Sequence, residues 1–196
     1  MAEVERDYYQ TGELRSEVFV INGKKEGEFK KYYRTGEIFE LYSYTNDKKE
    51  GEYKSYHENG HLHGIGSFID DMLNGEYKSY HENGSLTDSF SYTNDRLNGE
   101  FKSYHENGQI SGTSSFINGQ KHGESKRYYR NGVLEQICSD IHYKLNGEFK
   151  RYYENGQLKE ISSYTNNKRN GEYKRYDESG ELIESSIYEN GIEIKN

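Results

Sequence analysis

The chain contains no proline, and Cys138 is its only cysteine. A single cysteine excludes an intrachain disulfide. Without proline, and without any 3.6-residue apolar period, the pattern points to strands throughout. Apolar residues are also scarce, at 31% of 196 residues with a mean hydropathy of −1.21. No apolar run approaches the roughly 20 residues that a membrane-spanning helix needs. The opening stretch MAEVERDYYQTGEL lacks the basic start and apolar segment of a secretory signal, so a cytoplasmic location is expected. Glycines stand singly at turns, which excludes a phosphate loop of the Walker or Rossmann type.

So little apolar content ordinarily means disorder, because too little surface is buried to offset the ordering entropy. The 21 Tyr and 8 Phe argue otherwise, since they recur at fixed spacing. Tyrosine joins a large apolar ring to a polar tip and packs well on half-wet surfaces. The expectation is an ordered but thin and elongated monomer without a thick core. Net charge is −8 and unevenly spread. Residues 1–98 hold 19 Asp and Glu against 12 Lys and Arg, a net of −7. Residues 99–196 hold 15 against 14, a net of −1. An acidic chain disfavours nucleic acid or an anionic membrane as the main ligand.

GEYKSYHENG fills residues 51–60 and returns unchanged at 75–84, then as GEFKSYHENG at 99–108. Aligned at a period of 24, Gly-Glu steps begin units at 27, 51, 75, 99, 123, 147 and 171, after a truncated unit over about 1–26. An aromatic follows two residues on in every unit except at Ser125, and a tyrosine five residues on, from Tyr32 to Tyr176. Fixed-period self-similarity marks a repeat architecture, here one array over 1–196. Segments such as GEYKSYH and LKEISSYT favour strands, and the Asn-Gly between them is hairpin chemistry. About sixteen antiparallel strands follow, two per unit. The register stays open at this point. A two-residue Asn-Gly turn places Tyr53 and Leu62 on one face, whereas a three-residue loop with a glycine bulge pairs Tyr56 with Leu62. In both, Glu52, Lys54 and Tyr56 share one face, and Tyr53, Ser55 and His57 the other.

The unit NGEFKRYYENGQLKE, closed by Tyr164, resembles the MORN-repeat-variant family, found in bacterial proteins labelled YwqK-type antitoxins. The resemblance rests on Gly147, Phe149, Tyr152, Tyr153, Asn155, Gly156, Leu158 and Tyr164, and spans essentially the whole chain. It implies an all-β, single-layer antiparallel meander of stacked hairpins that serves as an interaction scaffold.

Sites for chemistry are few. His57, His81 and His105 form a column, but equivalent residues lie two strands apart, roughly 9–10 Å, too far for shared zinc ligation. The three-residue loop puts His57, His61 and His63 on one face, as a metal cluster or as solvated histidines. Cys138, four residues before His142, lacks a recurring partner for a catalytic dyad. Glu52 and Lys54 repeat as a ladder, which suggests cross-strand ion pairs. Asn83-Gly84-Ser85 matches a glycosylation sequon of no meaning without secretion.

Variable columns are freer than constant ones to meet a partner. One runs Lys31, Ser55, Ser79, Ser103, Arg127, Arg151, Arg175, and another Tyr33, His57, His81, His105, Tyr129, Tyr153, Asp177. Tyr and Arg are favoured in binding hot spots, so Tyr33, His57, His81, His105, Arg127, Tyr129, Arg151 and Tyr153 are candidate partner-binding residues. Glu37, Glu40 and Asp47 join them from the acidic half. The unit 123–146, with Ser125 and Asp140 in aromatic positions, marks either a contact site or a drifted repeat. The functional expectation is a non-enzymatic scaffold, without cofactor, that neutralises a protein partner such as a basic toxin or nuclease. The alternative, implied by the resemblance to MORN proteins, is a lipid-binding or membrane-tethering module, which the net charge disfavours and Arg127, Arg151 and Arg175 keep open.

Overall fold

The computed structural model describes residues 1–194. They form two compact units, Met1–Arg96 and a second from Leu97 onward. In the first unit the strands are β1 (Ala2–Tyr8), β2 (Leu14–Ile21), β3 (Lys24–Tyr32), β4 (Ile38–Thr45), β5 (Lys48–Tyr56), β6 (Leu62–Ile69), β7 (Met72–Leu73), β8 (Gly75–Tyr80) and β9 (Leu86–Thr93). The short β10 (Arg96–Leu97) falls where the units meet in sequence. The second unit continues with β11 (Gly99–Tyr104), β12 (Ile110–Ile117), β13 (Gln120–Tyr128), β14 (Leu134–Ile141), β15 (Lys144–Tyr152), β16 (Leu158–Thr165), β17 (Lys168–Tyr176), β18 (Leu182–Glu189) and β19 (Ile192–Ile194). Within each unit consecutive strands pair antiparallel, except that β7 and β8 lie end to end along β6, so the all-β meander with a 24-residue period holds. The sixteen expected strands become nineteen among the described residues because Asn74 and Asn98 each interrupt a strand and β19 adds one.

Two turn types alternate. The first follows the three-residue option. Gly60 N–H donates to His57 O at 2.9 Å and His57 N–H to His61 O at 2.9 Å, closing a loop of Glu58, Asn59 and Gly60. Gly60 has φ +80, the left-handed region that a glycine enters without steric cost. Asn59 Oδ1 accepts from His61 N–H at 3.0 Å and locks the loop. Tyr56 therefore pairs with Leu62, and a register shift follows directly between Ser55 and Tyr56. The second turn has two central residues at positive φ, such as Asn46 (+51) and Asp47 (+68). That is the hairpin geometry whose twist matches the flanking strands, and Asn and Asp tolerate it best. The irregular unit uses His142 and Tyr143 there instead (+50 and +63). Tyr143 recovers some of the strain by donating its hydroxyl to Gly119 O at 2.6 Å.

The Gly-Glu step has a structural reason. Gly51 lies inside β5 at φ +79, where the β4–β5 register shifts between Leu41 and Ser43. This bulge bends each first strand, and only glycine suits its backbone.

Alternation produces a ring face and a ladder face. On the ring face of the first unit, Val18, Val20, Tyr42, Tyr44 and Phe68 are buried, with Phe29, Tyr53 and Leu73 packed against them. Tyr42 stacks on Phe29 at 4.6 Å and meets the edges of Tyr44 (5.5 Å) and Phe68 (5.7 Å). With no helix or second layer inside the unit, these rings bury one another. The ladder face carries Glu and Lys, but their pairing corrects the cross-strand expectation. Lys30 bonds Glu28 (2.6 Å), Lys102 bonds Glu100 (2.8 Å) and Lys150 bonds Glu148 (2.6 Å), each along its own strand. Lys54 pairs with Glu52 likewise. The register explains why: opposite Lys54 stands Ile65 and opposite Glu52 stands Ser67, so no charge faces either one. Such exposed pairs add little stability.

Candidate interaction surface

The variable column beginning at Tyr33 performs a repeated structural task. Tyr33 Oη donates to Tyr56 O at 2.8 Å, Tyr129 Oη to Tyr152 O at 2.8 Å and Tyr153 Oη to Tyr176 O at 2.9 Å. His57 Nε2 meets Tyr80 O and His105 Nε2 meets Tyr128 O, both at 2.9 Å. A carbonyl only accepts, so each imidazole carries its proton on Nε2. Tyr and His both occupy this column because both present a donor at the end of a flat ring. Each bond ties one hairpin to the next, a contribution of about 1 kcal/mol. His81 is half-buried in the same column, and its N–H closes its own loop on Ser85 O. Asp177 instead accepts from Ser179 and Glu181 within its own turn. His57 and His63 rings touch at 4.6 Å, while His61 Nδ1 turns to Glu82 O. Among the described residues no group of three His, Cys, Asp or Glu is placed to hold a metal ion.

The three acidic candidates separate. Glu37 is exposed. Glu40 is half-buried, near Lys31 Nζ and the Tyr53 hydroxyl, each at 3.5 Å. Asp47 sits in its turn with Oδ1 accepting from Lys25 N–H at 2.7 Å, which joins that turn to the preceding one. Replacing Asp47 by Lys removes this acceptor from a positive-φ position and is expected to destabilise by about 1–2 kcal/mol, whereas Asp47→Asn is nearly neutral. Urea denaturation of the two variants measures the difference.

Around Glu40 the ring face opens into a hollow of ≈ 450 Å³. Tyr42, Tyr53, Phe68, Tyr77, Phe90 and Tyr92 line it, with Glu40, Lys49 and Asp88 supplying charge. Lys49 Nζ stands 4.7 Å above the Tyr42 ring and 4.9 Å above that of Phe68. Burial pushes the Tyr53 phenol up to about 12, with the Glu40 carboxylate adding to the shift. A phenol held above its ordinary value of 10 ionises in the unfolded chain first, so stability is lost as pH rises beyond about 10. Tyr53→Phe is expected to raise the midpoint of alkaline unfolding, followed by far-ultraviolet circular dichroism.

In the second unit the ring face thins. Following the ladder pairs across β11 to β18, and stepping over the β12–β13 bulge that begins after the Thr113–Lys126 pair, successive residues are Phe101, Ser114, Ser125, Cys138, Phe149, Ser162, Tyr173 and Ser186. The equivalent row of the first unit holds Val18, Phe29, Tyr42, Tyr53, Gly66, Tyr77 and Phe90. Beside Ser125 lies Asp140, buried and in an aromatic position of the repeat. It accepts from Ser125 Oγ at 3.0 Å and from Lys121 Nζ at 2.9 Å, which satisfies a carboxylate held away from water. Burial, reinforced by Asp140, pushes the Cys138 thiol up and away from nucleophilic reactivity. Its contact comes from Gln136 Nε2 at 3.8 Å, while His142 stays in its turn with its ring 6.2 Å from that of His122. Arg127 is exposed, Arg151 stands 5.6 Å over Phe149, and Arg175 pairs with Glu184 at 3.0 Å. The hollow and the Asp140–Lys121 pair were not anticipated. Their signal in the sequence is one second-strand column, which holds Tyr42 and Phe90 early in the chain and Ser114, Cys138 and Ser162 later, with Asp140 breaking the other column.

Among curated proteins none matches. Solved structures resemble the chain only loosely. That of TarM matches at 13% identity and a TM-score of 0.34, over 52% of this chain and 20% of the other. A TcdB2-TccC3-Cdc42 structure matches at 13% identity and 0.25, over 95% and 12%. A porin-like protein from Bacteroides uniformis matches at 7% identity and 0.23, over 95% and 96%. This chain thus spans a small part of the first two. The model of the family described as MORN repeat variant matches residues 25–46, 49–70, 73–94, 97–118, 121–139, 145–166 and 169–190. Its fifth match stops one residue short of Asp140. With seven consecutive matches over most of its length, the chain belongs to the MORN repeat variant family and is a repeat scaffold for binding.

Proposed function

We propose that the chain is a non-enzymatic protein-binding scaffold that holds and neutralises a basic partner, in the manner of a YwqK-type antitoxin, an immunity protein or another inhibitor. The observation that carries this reading is the aromatic hollow of ≈ 450 Å³ on a unit whose charge is −7. Clustered rings in a concave site are the anchors of protein interfaces, and an acidic surround steers a basic partner toward them. The lipid-binding alternative draws on Arg127, Arg151 and Arg175, but Arg175 is already paired with Glu184 and Arg151 leans on a ring. The test is capture from native lysate with mass spectrometry of bound proteins, followed by binding of the purified partner. A basic protein that loses its activity when bound supports the reading. Capture of anionic vesicles with no protein overturns it in favour of the alternative.

A further inference from the structure

We infer that the gap in the ring row of the second unit is a socket for a tyrosine side chain of a partner protein. The proposal rests on the protein-binding reading above and names one anchor of that contact. Elsewhere in this row a ring stands at least every second strand of the unit, as at Phe149 and Tyr173. Between Phe101 and Phe149 three neighbouring strands contribute only Ser114, Ser125 and Cys138. At ~4.8 Å per strand the two rings are roughly 19 Å apart, about twice the separation elsewhere. A hollow of ≈ 310 Å³ opens at this place, with Phe101, Ser114, Ser125, Cys138, Lys121 and Arg127 in its lining.

The missing piece has a definite chemistry. It is flat and apolar where Phe101 and the Cys138 sulfur line the hollow, contacts that favour a ring. Arg127 has no ion pair among the described residues, and a guanidinium beside a ring face is attracted to its electrons. The serine hydroxyls and Lys121 meet a polar tip, which selects tyrosine over phenylalanine. Lys121 is neutralised by the buried Asp140, so a second carboxylate gains less there than a neutral phenol. The substitution that empties the row, Ser125 for the Phe or Tyr of the other units, also supplies the hydroxyl that holds Asp140. A drifted repeat would leave that carboxylate buried without its hydroxyl partner.

The experiment is a titration of ¹⁵N-labelled full chain with N-acetyl-L-tyrosinamide, with N-acetyl-L-leucinamide and N-acetyl-L-aspartamide as comparisons. Saturable amide shifts at Ser114, Ser125 and Cys138 are expected with the tyrosine compound, about tenfold weaker or absent with the others. Ser125→Phe refills the row and is expected to abolish the shifts. Should that variant fail to fold, Ser114→Phe fills the same space from the neighbouring strand. No saturable shift, equal binding of the leucine or aspartate compound, or unchanged shifts in a folded filled variant overturns the proposal. Tyrosinamide binding with no protein partner captured leaves the tyrosine socket standing and removes the neutralising function proposed above. A captured partner held equally by the wild type and by Ser125→Phe does the reverse.

Discussion

Truncating Tyr42 to alanine is expected to cost the first unit about 3–5 kcal/mol, the range for emptying a buried aromatic site. Tyr42 is 7% exposed and in contact with four other rings, so no neighbour moves in without losing its own partners. A single-layer sheet has no opposing layer to collapse onto the void. Lys49 also loses the ring beneath its ammonium. Urea denaturation of Tyr42→Ala beside Tyr42→Phe separates ring from hydroxyl. The Phe variant gives up only the distant contact with Tyr44 Oη at 3.5 Å and is expected to stay close to wild type. A loss below about 0.5 kcal/mol in the alanine variant, the size of a surface change, would mean that the rings do not form the core.

Gly66→Ala is expected to destabilise by about 1–3 kcal/mol, as overpacking does. Gly66 is not a turn residue. A Cβ there meets Tyr77 Cδ2 at 2.7 Å, and one on Gly64 meets the Tyr77 hydroxyl, so the ring lies flat on bare backbone. Glycine inside a strand is otherwise a weak choice. The cost therefore belongs to the pair. In a Tyr77→Ala background the same Gly66→Ala change is expected to be neutral or stabilising, a coupling that a double-mutant cycle reads directly. Additive effects would show that the glycine serves its own backbone instead.

Much of the fold was legible because the repeat states it seven times. The Asn-Gly turns, the alternation of Tyr53 and Ser55 against Lys54 and Tyr56, and the strand pairs all follow from local chemistry. The bulge glycine was not, since Gly51 and Gly60 look alike in sequence though one lies in a strand and the other in a turn. The column of Tyr33, His57 and Tyr129 reads as free surface until the next hairpin supplies a carbonyl acceptor. The Glu–Lys ladder runs along strands where the opposite positions carry no charge, as at Glu52 and Lys54, which only the register reveals. The ring row escaped notice for a similar reason. Its rings come from two columns, and a gap at Ser125 becomes a hollow only when Ser114 and Cys138 flank it. Where the sequence broke its own rule, at Ser125 and Asp140, the structure placed a satisfied buried charge.

Capture of a basic protein by the acidic unit is read from association kinetics. Glu37, Glu58 and Glu82 have exposed side chains near the hairpin turns and take part in no ion pair among the described residues. Their joint reversal to Lys leaves the Asp47 cap and the half-buried Glu40 untouched. The measurement is the association rate of the captured partner against salt concentration, for the wild type, this variant and one with Arg127, Arg151 and Arg175 reversed to Glu. Electrostatic capture gives a wild-type rate that falls steeply with salt, a rate about tenfold lower in the glutamate variant at low salt, and little change in the arginine variant. A salt-independent rate, or binding abolished by the arginine set and untouched by the glutamate set, would contradict it.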